Sequence, residues 1–127
     1  MDALGEKSRI LVVDDDDSVC LGMSEILKGN CFNASYATSG AEAVEQARKN
    51  RYSLIFMDIV MPGMNGVEAF RIIRRSDPDV KVVLFTGYYN DASGIIMQGV
   101  REGIIDEFIR KPFFAEEIIR TAQKHLA

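Results

Sequence analysis

The sequence predicts an α/β domain: a doubly wound, five-stranded parallel sheet of order 2-1-3-4-5 with helices on both faces. Three observations predict it. Five short apolar runs alternate with five stretches of helical spacing, a βα repeat that calls for a parallel sheet covered on both sides. Three of the runs, Ile10 to Val13, Leu54 to Met57 and Val82 to Phe85, are continuously apolar, as strands buried on both faces are. The second run carries Asn33 and Ser35, and the fifth carries Asp106, Glu107 and Arg110, polar residues that suit the two edges this order provides.

The first strand is expected at about Arg9 to Asp14. The helix after Asp16 places Val19, Met23, Ile26 and Leu27 on one stripe, and Gly29-Asn30 ends it. A second strand, Phe32 to Ala37, leads into Ser39-Gly40-Ala41-Glu42, a capping-box pattern in which Ser39 accepts from the backbone and Glu42 reaches back to it. After the third strand, Ser53 to Asp58, a helix following Asn65-Gly66 turns Val67, Phe70 and Ile73 inward until Asp77-Pro78 stops it. The fourth strand, Lys81 to Thr86, precedes a helix of about Asp91 to Glu102. Gly94 and Gly99 each cost that helix about 1 kcal/mol relative to Ala, so it is expected to be the least stable. The fifth strand, Asp106 to Arg110, is followed after Pro112 by a helix with Ile118, Ala122 and Leu126 at core spacing. Residues 1–7 read as a flexible N-terminus and 8–127 as the domain.

Composition agrees with one globular domain. The chain has 127 residues, 47% hydrophobic and 27% charged, and at this length roughly two-thirds of the unfolded surface can be buried without a covalent or metal staple. Cys20 and Cys31 match no zinc or redox spacing, so free thiols in a reducing, cytoplasmic compartment are expected. The net charge of −4 disfavours direct nucleic-acid binding by this domain. No apolar run approaches the roughly 20 residues needed to cross a bilayer, so no membrane role is expected.

Right-handed crossovers place the carboxyl ends of all five strands on one rim, where open α/β sheets bind ligands. The strands end there in Asp14-Asp15, Asp58, Thr86 and Lys111-Pro112. Like charges about 4 Å apart repel by roughly 4 kcal/mol per pair at an effective dielectric of 20. Lys111 offsets part of that repulsion, and the remainder calls for a divalent cation. An all-oxygen, water-accessible donor set suits Mg²⁺. Metal and ammonium charge around a carboxylate also suit phosphoryl transfer, with the carboxylate as nucleophile. Asp16 and Asp17 read instead as ordinary acids at a helix start. The methionines Met57, Met61, Met64 and Met97 read as core and loop filler, and His125 as a complement to the dipole of the last helix.

Taken in chain order, Ile10-Leu11-Val12-Val13-Asp14-Asp15, Asp58-Ile59-Val60-Met61-Pro62-Gly63-Met64-Asn65-Gly66, Thr86-Gly87 and Lys111-Pro112-Phe113 resemble the receiver (phosphoacceptor) domain of two-component response regulators, a flavodoxin-like fold. The resemblance implies that Asp58 accepts a phosphoryl group from the phosphohistidine of a histidine kinase or phosphotransfer protein. It implies Mg²⁺ held by the side chains of Asp15 and Asp58, by the backbone carbonyl of Val60, and through water by Asp14. Lys111 would contact the phosphoryl group, Thr86 would swing toward it, and the ring of Phe108 would follow. The face made by the fourth helix, fifth strand and fifth helix would then present a changed surface to a downstream effector domain or protein, with homodimerisation on phosphorylation open to such a domain. Such a chain catalyses only its own phosphorylation and dephosphorylation.

The match has departures. Thr86 and Lys111 stand a few residues further apart than in similar domains, and Phe108 lacks the hydroxyl that a tyrosine would bring to the switch position. Val60 and Tyr88 occupy the positions that control water access, and neither orients an attacking water well, so slow self-dephosphorylation is expected. Two other readings compete: a binding module of the same fold that works without phosphorylation, and a haloacid-dehalogenase-like phosphatase. The latter wants Asp-x-Asp, where this chain has Asp58-Ile59-Val60. A flavin carrier fits less well, because an acidic triad would repel the cofactor phosphate.

Overall fold

In the computed structural model, which describes residues 9–87, 89–103, 107–110 and 114–126, five strands alternate with five helices. They run β1 (Arg9–Val13), α1 (Asp17–Lys28), β2 (Asn33–Ala37), α2 (Gly40–Lys49), β3 (Leu54–Asp58), α3 (Gly66–Ser76), β4 (Lys81–Thr86), α4 (Tyr89–Arg101), β5 (Glu107–Arg110) and α5 (Ala115–Leu126). The sheet order is β2-β1-β3-β4-β5 and every pair is parallel. The expected architecture is therefore present, with element ends shifted by one or two residues. The N-terminal stretch 1–7 lies outside the described residues.

Alternation along each central strand divides the core between the two faces. Leu11, Val13, Ile55, Met57, Val82 and Leu84 meet Ala43 of α2, Phe70 and Ile73 of α3 and Ile96 of α4 on one side. Ile10, Val12, Leu54, Phe56, Val83 and Phe85 meet Met23 and Leu27 of α1 and Ile118 and Ala122 of α5 on the other. The polar second strand lies at one edge, with Asn33 and Ser35 exposed, and β5 lies at the other. In the register Val13 faces both Ala37 and Met57, Asp58 faces Phe85, and Thr86 faces Arg110, which brings the strand ends level at one rim.

Local details differ from expectation where side chains had a choice of partner. Ser39 caps α2, its Oγ accepting the Glu42 N–H at 3.0 Å. The Glu42 carboxylate does not return to Ser39. It takes the backbone N–H and hydroxyl of Thr38, at 2.6 and 3.1 Å, because a second hydroxyl one residue upstream offers two donors in place of one. The complete capping box forms at α3, where Asn65 and Glu68 exchange bonds of 2.9 Å. On α1 the buried stripe is Cys20, Met23, Ser24 and Leu27, with Val19 and Ile26 only half-buried. Val19 and Ile26 still pack against the core on the α1 and α5 side.

The end of α1 is also unexpected. Gly29 keeps a helical φ of −66°, and Cys31 takes the left-handed conformation at φ 70°. Bonds from Phe32 N–H to the Leu27 carbonyl (3.1 Å) and from Cys31 N–H to the Lys28 carbonyl (3.2 Å) complete a Schellman closure. Phe32 and Leu27 pack in the same core cluster, the apolar contact that accompanies such a cap. An exposed cysteine thus occupies the position that glycine fills without steric cost. Cys31→Gly is expected to raise stability by about 0.5–1 kcal/mol, read as a higher urea midpoint at unchanged slope, whereas Cys31→Ala leaves the midpoint where it is.

Candidate functional site

The level strand ends bring three carboxylates together. Asp14 follows β1, Asp15 follows Asp14, and Asp58 closes β3; one carboxylate oxygen from each lies within 4.8 Å of the others. Asp14 and Asp58 are buried, at 1% and 4% exposure, while Asp15 opens to solvent. Asp14 is fixed at several atoms. Its N–H donates to the Ala37 carbonyl at 3.2 Å, its Oδ1 accepts the Asp16 N–H at 2.9 Å, and its carbonyl faces the thiol of Cys20 at 3.2 Å. Asp16 itself caps α1, accepting the Ser18 N–H at 2.8 Å, and Asp17 sits in the first turn, the ordinary roles expected of them.

Asp58 is placed by the backbone around it. Ile59 N–H donates to the Phe85 carbonyl at 3.1 Å, and the Gly66 N–H returns to the Ile59 carbonyl at 2.9 Å, folding residues 59–65 back over the strand end. Gly66 is in contact with the Asp58 backbone: a Cβ there would collide with the Asp58 carbonyl oxygen. Gly40, at the start of α2, supports the same loop from outside, since a Cβ there would lie 3.0 Å from the Met64 carbonyl oxygen. Val60 is half-buried against the core on the α2 and α3 side.

Thr86 is buried at the carboxyl end of β4, on the same rim. Phe108 on β5 is half-buried, pairs in register with Leu84, and packs against the cluster that includes Ile96 of α4. Lys111 with Pro112 and Phe113, and Tyr88, lie outside the described residues, as does the 104–106 approach to β5.

Two groups take roles the sequence did not reveal. His125 does more than sit at a helix end. Its Nε2 lies 2.8 Å from Glu107 Oε1, and Lys124 Nζ lies 3.2 Å from the same oxygen, so the last turn of α5 clamps the edge strand next to Phe108. Burial pushes the Glu107 carboxyl up, but the bonds from His125 and Lys124 outweigh it and hold Glu107 below the usual carboxylate range. Burial likewise pushes the Cys20 thiol up to about 12, a rise that the bond to the Asp14 backbone only partly opposes and that the carboxylates of Asp14, Asp17 and Asp16 reinforce. Cys20 is therefore a protonated donor at neutral pH. Neither residue stands in a motif, and both are found only from the spatial neighbours the fold supplies.

Three carboxylates this close, two of them out of water, form a strongly repulsive set that a divalent cation relieves. The donors are all oxygen, and one of the three acids faces solvent, a combination that fits Mg²⁺ retaining part of its water shell. No helix among the described residues is long and apolar enough to cross a membrane.

Comparison with known proteins converges on the same fold. A family model described as the response regulator receiver domain matches residues 10–123. The DNA-binding response regulator MtrA of Mycolicibacterium smegmatis is 32% identical over 120 residues, which are 94% of this chain and 51% of MtrA, so the chain spans about half the length of this relative. The response regulator protein TrrA of Thermotoga maritima, solved in complex with Mg²⁺-BeF, superposes with a TM-score of 0.80 at 30% identity, covering 93% of this chain and 98% of that one. A CheY-like receiver domain from Methanospirillum hungatei superposes with a TM-score of 0.85 at 24% identity, covering 94% and 93%. With a five-stranded sheet in this order, an acidic triad at its carboxyl rim and a family match over nearly its whole length, the chain belongs to the response regulator receiver domains, the signalling switches of two-component systems.

Proposed function

We propose that the domain is a Mg²⁺-dependent phosphorylation switch in which Asp58 is the phosphoacceptor. The observation that carries this reading is the buried Asp58 carboxylate within 4.8 Å of those of Asp14 and Asp15. The match to TrrA, solved with Mg²⁺-BeF, supports it. A carboxylate oxygen of Asp58 attacks the phosphorus of a phosphohistidine, forming an acyl phosphate while the P–N bond breaks and the imidazole leaves. The side chains of Asp15 and Asp58, the Val60 carbonyl and, through water, Asp14 would hold Mg²⁺, which supplies charge neutralisation at the phosphoryl oxygens. Lys111 contributes the ammonium group. Thr86 hydrogen-bonds a phosphoryl oxygen, and Phe108 moves inward with it against the α4 side of the core.

The donor is a histidine kinase or phosphotransfer protein, and the output surface is the face of α4, β5 and α5. MtrA is a DNA-binding response regulator, and a downstream effector of that general kind, within the same protein or separate from it, is the receiver of the signal here. The two free cysteines fit a reducing cytoplasm. To move the balance of two conformations from 1:99 to 99:1, phosphorylation must favour the active one by about 5.5 kcal/mol, a difference that Lys111 and Thr86 at the phosphoryl group, with the charge neutralisation Mg²⁺ would supply, would together have to provide.

Incubation with radiolabelled acetyl phosphate tests the reading. Label is expected to form on Asp58 in Mg²⁺ and not to form when EDTA is present, and after donor removal to persist for many minutes, because neither Val60 nor Tyr88 orients an attacking water well. Absence of Mg²⁺-dependent label would favour the phosphorylation-independent binding module. A half-life of seconds would overturn the assignment of Val60 and Tyr88.

A further inference from the structure

Cys20 performs no step of the switch, yet its thiol joins the framework beneath the acidic triad. It is fully buried on α1 and faces two carbonyl oxygens, that of Asp14 at 3.2 Å and that of Ala37 at 3.5 Å. The Ala37 carbonyl also accepts the Asp14 N–H at 3.2 Å. One thiol therefore links three elements where they converge: the end of β1, the end of β2 and the first turns of α1. The Asp14 carbonyl belongs to the peptide plane whose other end is the nitrogen of Asp15, so tilting that plane moves the carboxylate of Asp15 relative to that of Asp58. The Asp16 N–H also holds Asp14 Oδ1 at 2.9 Å.

We infer that Cys20 is a positioning residue for the cation site, its S–H holding the Asp14–Asp15 peptide in the orientation that gathers the three carboxylates. The inference rests on the phosphorylation-switch reading above. Groups behind metal ligands commonly contribute tenfold or more to metal affinity, and a thiol is a weak donor, so the effect of Cys20 falls at the low end of that range.

The test is a Mg²⁺ titration of the full chain followed by the amide signals of Asp15 and Ile59, with urea unfolding of each variant measured separately without metal. Cys20→Ala and the somewhat larger Cys20→Val, which lack the donor, are expected to bind Mg²⁺ about tenfold more weakly. Cys20→Ser retains a donor and is expected to stay within about twofold of the native chain. A role in packing alone lowers the urea midpoint and leaves Mg²⁺ affinity unchanged. If Ala does not fold, Val is read in its place. The inference is overturned if a folded donor-free variant binds Mg²⁺ like the native chain, or if Ser binds as weakly as Val. A native chain that binds no Mg²⁺ overturns the switch reading itself.

Discussion

Asp58→Asn is expected to abolish labelling by acetyl phosphate while making the metal-free protein more stable. The amide cannot act as the nucleophile, so acyl phosphate formation stops. Removing one of the two carboxylates that would hold Mg²⁺ directly is expected to weaken its binding by at least about tenfold, or 1.4 kcal/mol. The stability effect has the opposite sign. Asp58 is buried beside Asp14, with Asp15 close by, and at an effective dielectric near 20 each like-charge pair costs up to about 4 kcal/mol. Screening at the exposed Asp15 reduces this, and a net gain of about 1–2 kcal/mol in metal-free unfolding free energy is expected. Chemical denaturation with and without Mg²⁺ checks the pair of effects: the native chain gains stability from Mg²⁺ and the variant gains little. Label retained on the variant at the native rate would remove Asp58 from the phosphoacceptor role.

Gly66→Ala is expected to destabilise the fold by about 3 kcal/mol or more, at the upper end of what overpacking costs. The cause is contact, since no positive φ is involved. A methyl group there would collide with the Asp58 carbonyl oxygen, with Met57 Cγ at 2.9 Å and the Asp58 carbonyl carbon at 3.0 Å. Two of these three neighbours are backbone of the strand that bears the site, which cannot swing aside as a side chain can. Relief must come from shifting either α3 or the end of β3, so any folded fraction carries a displaced Asp58 and takes up label more slowly. Gly22→Ala is the control: nothing lies within 4 Å of its Cβ position, and it is expected to lose neither stability nor labelling. Equal urea midpoints for Gly66→Ala and the native chain would show that the close approach of α3 to Asp58 is not needed.

Much of the site was legible because it lies at the ends of strands whose apolar runs are unmistakable. Asp58 follows Leu54-Ile55-Phe56-Met57, and Asp14 follows Ile10 to Val13; once those runs are parallel strands, the acids must share a rim. The caps were less legible. Glu42 could reach Ser39 or Thr38, and only the geometry at the entrance to α2 favours Thr38. The positive φ at Cys31 was hidden because Gly29, two residues earlier, is the residue type that normally takes it. His125 read as a lone helix-end residue because its partner Glu107 is 18 positions away and meets it only when α5 packs beside β5.

The amino-acid order by itself determined the alternation of strand and helix, the central and edge strands, and the acids that line the rim. These follow from periodicities of two and 3.6 residues and from the direction of βα crossovers, which are local or chiral properties of the chain. The tertiary structure decided that Gly66 must be small, that Cys20 faces Asp14 and Ala37, and that Glu107 is held by His125 and Lys124. Each of these depends on two segments approaching to within a few ångströms, and hydrophobic patterning, which says only which side faces inward, carries no information about such a distance.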